Sequence, residues 1–241
     1  MKHCVFFIIM LGYLFVGGCS LEYKYRAYQY HFDKDIQALE MLTEYKELED
    51  YLLFIGSSSI RRWNNIQEDM SPYAVVKRGY GGAHFYDLIH FIDRLMEDKQ
   101  EAKAVLIFVA NDITGSNGWD KLHKDLTPNE VKNLFKAICK KIHKKQSKKT
   151  PIYLIETTPT PSRWTVWNKI SKANDLIQNY TEQDPNLHFI STRNFFLNQK
   201  GRPDGKYFVA DSLHLSEAGY DLWEHIIKEN LSNLSHPFQY E

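Results

Sequence analysis

Five short stretches hold residues able to do chemistry. "FIGSSSI" carries Ser57, Ser58 and Ser59, and "RGYGGAHF" carries Gly79, Gly81 and Gly82. "VANDI" carries Asn111 and Asp112, "PTPSRW" carries Arg163 and Trp164, and "DSLHLSEAGY" carries Asp211 and His214. A serine, a histidine, a carboxylate three residues before it, glycine N–H groups and an asparagine amide are the parts of acyl transfer. That reaction needs a nucleophile, a general base, a group to orient the base, and donors for the oxyanion. Each part alone also has a plainer use. Serines cap helices, Asn-Asp makes Asx turns, and Asp-x-x-His can open a helix. Phosphate binding is disfavoured: "GYGGAH" has His84 where a third glycine belongs, and no Gly-Lys-Ser/Thr occurs. His84, His90 and His123 lack the H-x-H or HExxH spacing of metal ligands, so no metal is expected.

The elements that must position these residues are legible as an alternation. Apolar runs occur at Tyr51–Gly56, Tyr73–Gly79, Ala104–Ala110, Pro151–Thr158 and Leu187–Thr192. Several are apolar on both faces, as in strands covered by helices on either side. Helical periodicity marks Asp33–Asp50, Phe85–Met96, Val131–Ile142, Trp167–Tyr180 and a last helix in "SEAGYDLWEHIIKENL". Strand and helix in turn predict βαβ units and a parallel, doubly wound α/β sheet. Function in such sheets gathers at the carboxyl ends of the strands. The serine triplet, the glycine loop, Asn111 and "PTPSRW" each follow one of those ends, in chain order, and the Asp/His pair follows them all.

That ordered set resembles the SGNH, or GDSL-type, hydrolase family over Leu52 to the C-terminus. "IETTPTPSRWTVWNKI" also resembles a stretch found in a bacterial branch of it. The resemblance implies a flavodoxin-like three-layer α/β/α fold with about five parallel strands. It further implies ester hydrolysis through a serine, without metal or cofactor. The family's Gly-Asp-Ser-Leu block falls on Gly56-Ser57-Ser58-Ser59, making Ser58 the implied nucleophile, with Ser57 at the aspartate position and Ser59 a helix-start residue. The implied oxyanion donors are the N–H groups of Ser58 and Gly82 and the side chain of Asn111. Asp211 and His214 complete the implied triad, His214 taking the Ser58 proton and Asp211 fixing its tautomer. The usual Gly-x-Asn-Asp block reads Val109-Ala110-Asn111-Asp112 here, which puts a side chain on the backbone beside the donor. This is not the G-x-S-x-G elbow, because Ile60 stands at the final glycine. Arg163 and Trp164 are expected to line the substrate pocket, with core cover as the alternative for Trp164 and Trp167.

Composition bounds the rest. The chain has 241 residues, zero formal net charge, 43% hydrophobic and 14% aromatic residues, enough for one globular domain. Neutral balance gives no reason to expect a nucleic-acid partner, and "KKIHKKQSKK" reads as a helix end whose cations suit the dipole. The N-terminus "MKHCVFFIIMLGYLFVGGCS" has a basic start and an apolar run too short to span a bilayer, which fits a secretory signal. "FVGGC" resembles a bacterial lipobox, with Phe15 in place of the commonest leucine, and implies lipidation at Cys19. The expected organisation is a signal peptide at 1–18, a tyrosine-rich tether at 19–32 and one hydrolase domain at 33–241. Cys139 is then the lone thiol of the mature chain and reads as buried and inert. The expected protein is an envelope esterase, lipid-anchored and facing periplasm or exterior, acting on acetylated carbohydrate or another small ester. A lysophospholipase or thioesterase, or a glycan-binding protein without turnover, are the alternatives.

Overall fold

The computed structural model describes residues 21–42, 50–96, 101–115 and 124–235. The signal-like stretch and Cys19 lie outside them, as do His123 and the second half of the helix expected at Asp33–Asp50.

Five strands form one parallel sheet: β1 (Tyr51–Gly56), β2 (Ala74–Gly79), β3 (Ala104–Phe108), β4 (Ile152–Ile155) and β5 (Leu187–Ile190). Their order is β2-β1-β3-β4-β5, all pairs parallel. Alternation along each strand sends side chains to two cores. Leu53, Ile55, Val105 and Ile107 join one, under α1 (Asp33–Met41), α4 (Phe85–Leu95), α5 (Pro128–Lys145) and α6 (Trp167–Thr181). Leu52, Phe54, Leu106 and Phe108 join the other, under α2 (Ser58–Arg62), α3 (Ile66–Asp69) and α7 (Glu217–Leu231). This is the three-layer α/β/α arrangement that the strand–helix alternation requires. The strands stop earlier than their apolar runs, β3 at Phe108 and β4 at Ile155, so the residues that follow are free to form the loops of the site.

Two of the long helices begin where a side chain accepts from their free N–H groups. Thr127 caps α5 in a capping box with Glu130, with Pro128 at the first position. Ser216 caps α7 by accepting from the Gly219 N–H. At α2 the cap position is Ser57, and its hydroxyl makes no capping bond. Ser59, expected as the helix-start residue, is buried one position inside the helix.

The stretch expected as a tether is packed onto the domain from Leu21 onward. Tyr25 is buried, and the rings of Tyr25 and Tyr28 lie 5.7 and 4.4 Å from that of Tyr86. Lys24 pairs with Glu130 at 2.6 Å and Glu22 with Lys141 at 2.5 Å, tying the segment to α5. Arg94 of α4 holds Asp33 and Glu40 of α1. Aromatic area does here what aliphatic residues do elsewhere.

Candidate active site

The end of β1 must approach β3 closely before α2 can begin. A Cβ on Gly56 would fall 1.9 Å from the Phe108 carbonyl oxygen, so no side chain fits there. The Ser57 N–H then donates to that same carbonyl at 2.9 Å. Ser58 opens α2, so its own N–H has no acceptor within the helix. Its hydroxyl oxygen is 2.9 Å from His214 Nε2.

His214 arrives from the far end of the chain on a tight loop. Val209 N–H donates to the His214 carbonyl and Ser212 N–H to that of Val209, at 2.9 and 2.8 Å, and Ser212 takes a left-handed φ of 59°. Asp211 Oδ1 accepts from the N–H groups of Leu213 and His214, both at 2.9 Å, while Oδ2 lies 2.6 Å from His214 Nδ1. Burial pushes the Asp211 carboxyl up, but the hydrogen bonds from the imidazole and from the two backbone N–H groups outweigh it, leaving it at about 2. An ionised carboxylate can only accept. Nδ1 is therefore the donor, and Nε2 turns its lone pair toward the Ser58 hydroxyl. The three side chains form one chain of hydrogen bonds, carboxylate to imidazole to hydroxyl.

Asn111 follows β3. Its Nδ2 donates to the Ala83 carbonyl at 2.8 Å, and its Oδ1 accepts from Arg163 at 2.7 Å. Gly82 precedes that carbonyl with φ 77°, a left-handed conformation that favours glycine, and its N–H makes no hydrogen bond among the described residues. The loop's other side is held by Asp112, whose carboxylate accepts from the Phe85 N–H at 3.0 Å at the start of α4. His84 caps that helix, with Asp87 reaching back to its N–H at 2.9 Å. Burial raises the Asp112 carboxyl to about 7, against the lowering influence of His84, the Phe85 N–H and Arg163.

An open cleft lies over these groups, lined by Ser58, His214 and Asn111 together with Thr157, Thr158 and Trp223. The threonines were not singled out in the sequence, although they follow β4 directly and the rule of reading strand ends covers them. Arg163 also reaches the cleft, but its guanidinium is spent on Asn111 Oδ1 and on the Ala110 carbonyl. Burial drags its pKa down to about 10. Trp164 is not among the cleft residues. It stacks on Trp167, with ring centroids 6.1 Å apart, under the Arg202 guanidinium at 4.8 Å. The expectation that Trp164 lines the pocket finds no support in the lining of the cleft; its ring is engaged with Trp167 and Arg202. Val109 is buried in the apolar core, so the missing block glycine places no side chain in the cleft. His90 binds the Tyr25 carbonyl at 3.1 Å, and no metal-ligating cluster occurs among the described residues. Cys139 is buried.

Comparison with known proteins gives a consistent picture. The profile of the GDSL-like lipase/acylhydrolase family matches residues 55–222. No curated protein matches the chain. A Streptococcus pneumonia structure, provisionally described as a platelet activating factor, is 25% identical with a TM-score of 0.68, covering 88% of this chain and 97% of that one. A GDSL-like lipase from Bacteroides thetaiotaomicron is 17% identical with a TM-score of 0.59, covering 85% and 97%. A catalytic mutant of an acetylxylan esterase from Geobacillus stearothermophilus is 16% identical with a TM-score of 0.57, covering 79% and 96%. The last two likenesses concern the fold.

Proposed function

The chain belongs to the GDSL-like lipase/acylhydrolase family, and from that premise we propose that it is a serine esterase with Ser58 as nucleophile, acting on acetyl or other small acyl esters of carbohydrates. The observation that carries this reading is the unbroken line Asp211–His214–Ser58, with contacts of 2.6 and 2.9 Å. His214 Nε2 takes the Ser58 proton as the hydroxyl oxygen attacks the ester carbonyl. Charge developing on the carbonyl oxygen meets the N–H groups of Ser58 and Gly82 and the remaining hydrogen of Asn111 Nδ2. The tetrahedral intermediate collapses as His214 returns the proton to the leaving alcohol. Water then enters, His214 deprotonates it, and the acyl-serine is hydrolysed by the same steps.

An acetylxylan esterase of the same fold supports small acyl groups for this cleft. A second reading, a lysophospholipase or thioesterase taking longer acyl chains, is favoured by one feature. A small, mostly apolar pocket under α4, α5 and α6, lined by Phe85, Val131, Leu154 and Ile170, shares Ala110 and Thr157 with the cleft. Initial rates on p-nitrophenyl esters from acetate to laurate, set beside acetylated xylan and acetylated glucosamine polymers, separate the two. Acetyl preference supports the first reading and a maximum at medium chain length the second. Absence of Ser58-dependent hydrolysis of any ester overturns both and leaves a binding protein.

Location in the cell envelope through a lipid on Cys19 is part of the same proposal. Since the domain is already packed at Leu21, such an anchor would hold it against the bilayer surface. Cys19→Ala should release the protein from the membrane fraction, and unchanged fractionation would refute lipidation there.

A further inference from the structure

An asparagine amide that donates to an oxyanion has a hidden weakness. It can rotate by half a turn about its terminal bond, and only one of the two orientations presents N–H. In this protein the two partners of Asn111 admit a single orientation. A guanidinium can only donate, so the atom facing Arg163 must be the amide oxygen. A carbonyl can only accept, so the atom facing Ala83 must be the amide nitrogen. Rotation would set oxygen against oxygen on one side and N–H against N–H on the other. With one Nδ2 hydrogen committed to Ala83, the second is left for the cleft.

Arg163 is well built for this task and poorly placed for gripping substrate. Two of its nitrogens are already engaged, with the Ala110 carbonyl and with Asn111 Oδ1, on neighbouring residues of the same loop. It sits in the 3-10 turn Pro161–Val166 that follows β4. That turn also touches the acid–base arm of the site, because the Ser162 N–H donates to the Ser212 carbonyl at 3.1 Å. Ser212 lies between Asp211 and His214 in the chain. One short turn therefore braces the loop that carries the base and the amide that would receive the oxyanion.

We propose that Arg163 is a positioning residue of the oxyanion hole, locking the Asn111 amide with its N–H toward the cleft while its turn braces the Asp211–His214 loop. The proposal rests on the esterase reading above. An oxyanion donor acts in the transition state far more than on bound ester. Loss of the lock should therefore lower kcat and leave KM nearly unchanged, whereas a substrate-gripping arginine would raise KM.

The test is a double-mutant cycle on p-nitrophenyl acetate hydrolysis with the whole protein. Asn111→Ala should lower kcat by ~10²–10³, the usual loss for one oxyanion donor. Arg163→Ala leaves the donor present but unlocked, so kcat should fall by the smaller factor of about 10 to 100, with KM within about threefold. The double variant should be no slower than Asn111→Ala, since a lock without its amide has nothing to hold. Should Arg163→Ala fail to fold, Arg163→Lys, which keeps the charge and loses the fork, enters the same cycle with the same expectation of non-additivity. A loss in KM with kcat intact, additive losses in the double variant, or an Arg163 variant as fast as the parent beside a crippled Asn111→Ala would each overturn the lock alone. An Asn111→Ala protein as fast as the parent would instead overturn the role of Asn111 in the esterase reading, and the lock with it.

Discussion

Replacing Asp211 by asparagine should cost this enzyme about a hundredfold to a thousandfold in kcat/KM, less than the ~10⁴ typical of a buried triad carboxylate. The asparagine oxygen can still accept from the N–H groups of Leu213 and His214, which Asp211 Oδ1 now holds at 2.9 Å. The loop therefore keeps its shape, and the substitution isolates the electronic role. The amide nitrogen then faces His214 Nδ1, now 2.6 Å from Oδ2, and a donor there makes Nδ1 the acceptor. The imidazole proton moves to Nε2 and points at the Ser58 hydroxyl, which it can no longer deprotonate. The lost charge adds to this. At roughly 4 Å between charge centres, a carboxylate stabilises an imidazolium by ~1 kcal/mol in water and ~4 kcal/mol at an effective dielectric of ~20. The Asp211 side chain is 43% exposed, so the value lies between those limits, about 2 kcal/mol or some thirtyfold. The wrong tautomer supplies the remainder. Steady-state hydrolysis of p-nitrophenyl acetate, with circular dichroism to show that the fold is retained, measures the effect. A folded Asp211→Asn protein within about fivefold of the parent would refute the reasoning, since neither the charge nor the tautomer would then matter.

Two further expectations follow from buried groups. The Asp112 carboxyl is raised by burial from 3.8 to about 7, so between those values the native state holds a proton that the unfolded chain has released. Stability should therefore fall as pH rises through that window, by up to ~1.4 kcal/mol per pH unit. Asp112→Asn keeps an acceptor for the Phe85 N–H and should flatten the dependence of Tm on pH between about 5 and 7; parallel profiles would contradict the assignment. Burial also pushes the Cys139 thiol upward, so iodoacetamide should leave it unmodified in native protein and alkylate it in guanidinium, as read by peptide mass. Rapid alkylation of the native chain would show that α5 does not bury it.

Much of this architecture is legible in the sequence because it depends on local pattern. Five apolar runs, the last four each followed by a helical periodicity, leave little choice but a parallel sheet with helices on both faces. The parallel order then brings the residues after each strand to one edge, which is how Ser58, Asn111 and the "PTPSRW" turn come together. What the pattern does not reveal are contacts between distant polar groups. Arg163 reads as a pocket residue until its guanidinium is seen on Asn111, 52 residues away in the chain. Trp164 looks like a sugar platform by type, yet its ring is taken up in a stack with Trp167 and Arg202 and is not among the residues lining the cleft. The tyrosine-rich lead-in has few aliphatic residues and reads as a tether. Its partners, Tyr86 and Glu130, lie far along the chain and share no local signal with it.

The serine triplet decides whether this chemistry is rightly placed. A fluorophosphonate probe incubated with the folded protein, followed by peptide mass mapping, reads which hydroxyl is activated. The adduct should sit on Ser58, disappear in Ser58→Ala, and form far more slowly in His214→Ala. An adduct on Ser57 or Ser59, or none on the folded chain, would contradict a nucleophile at Ser58.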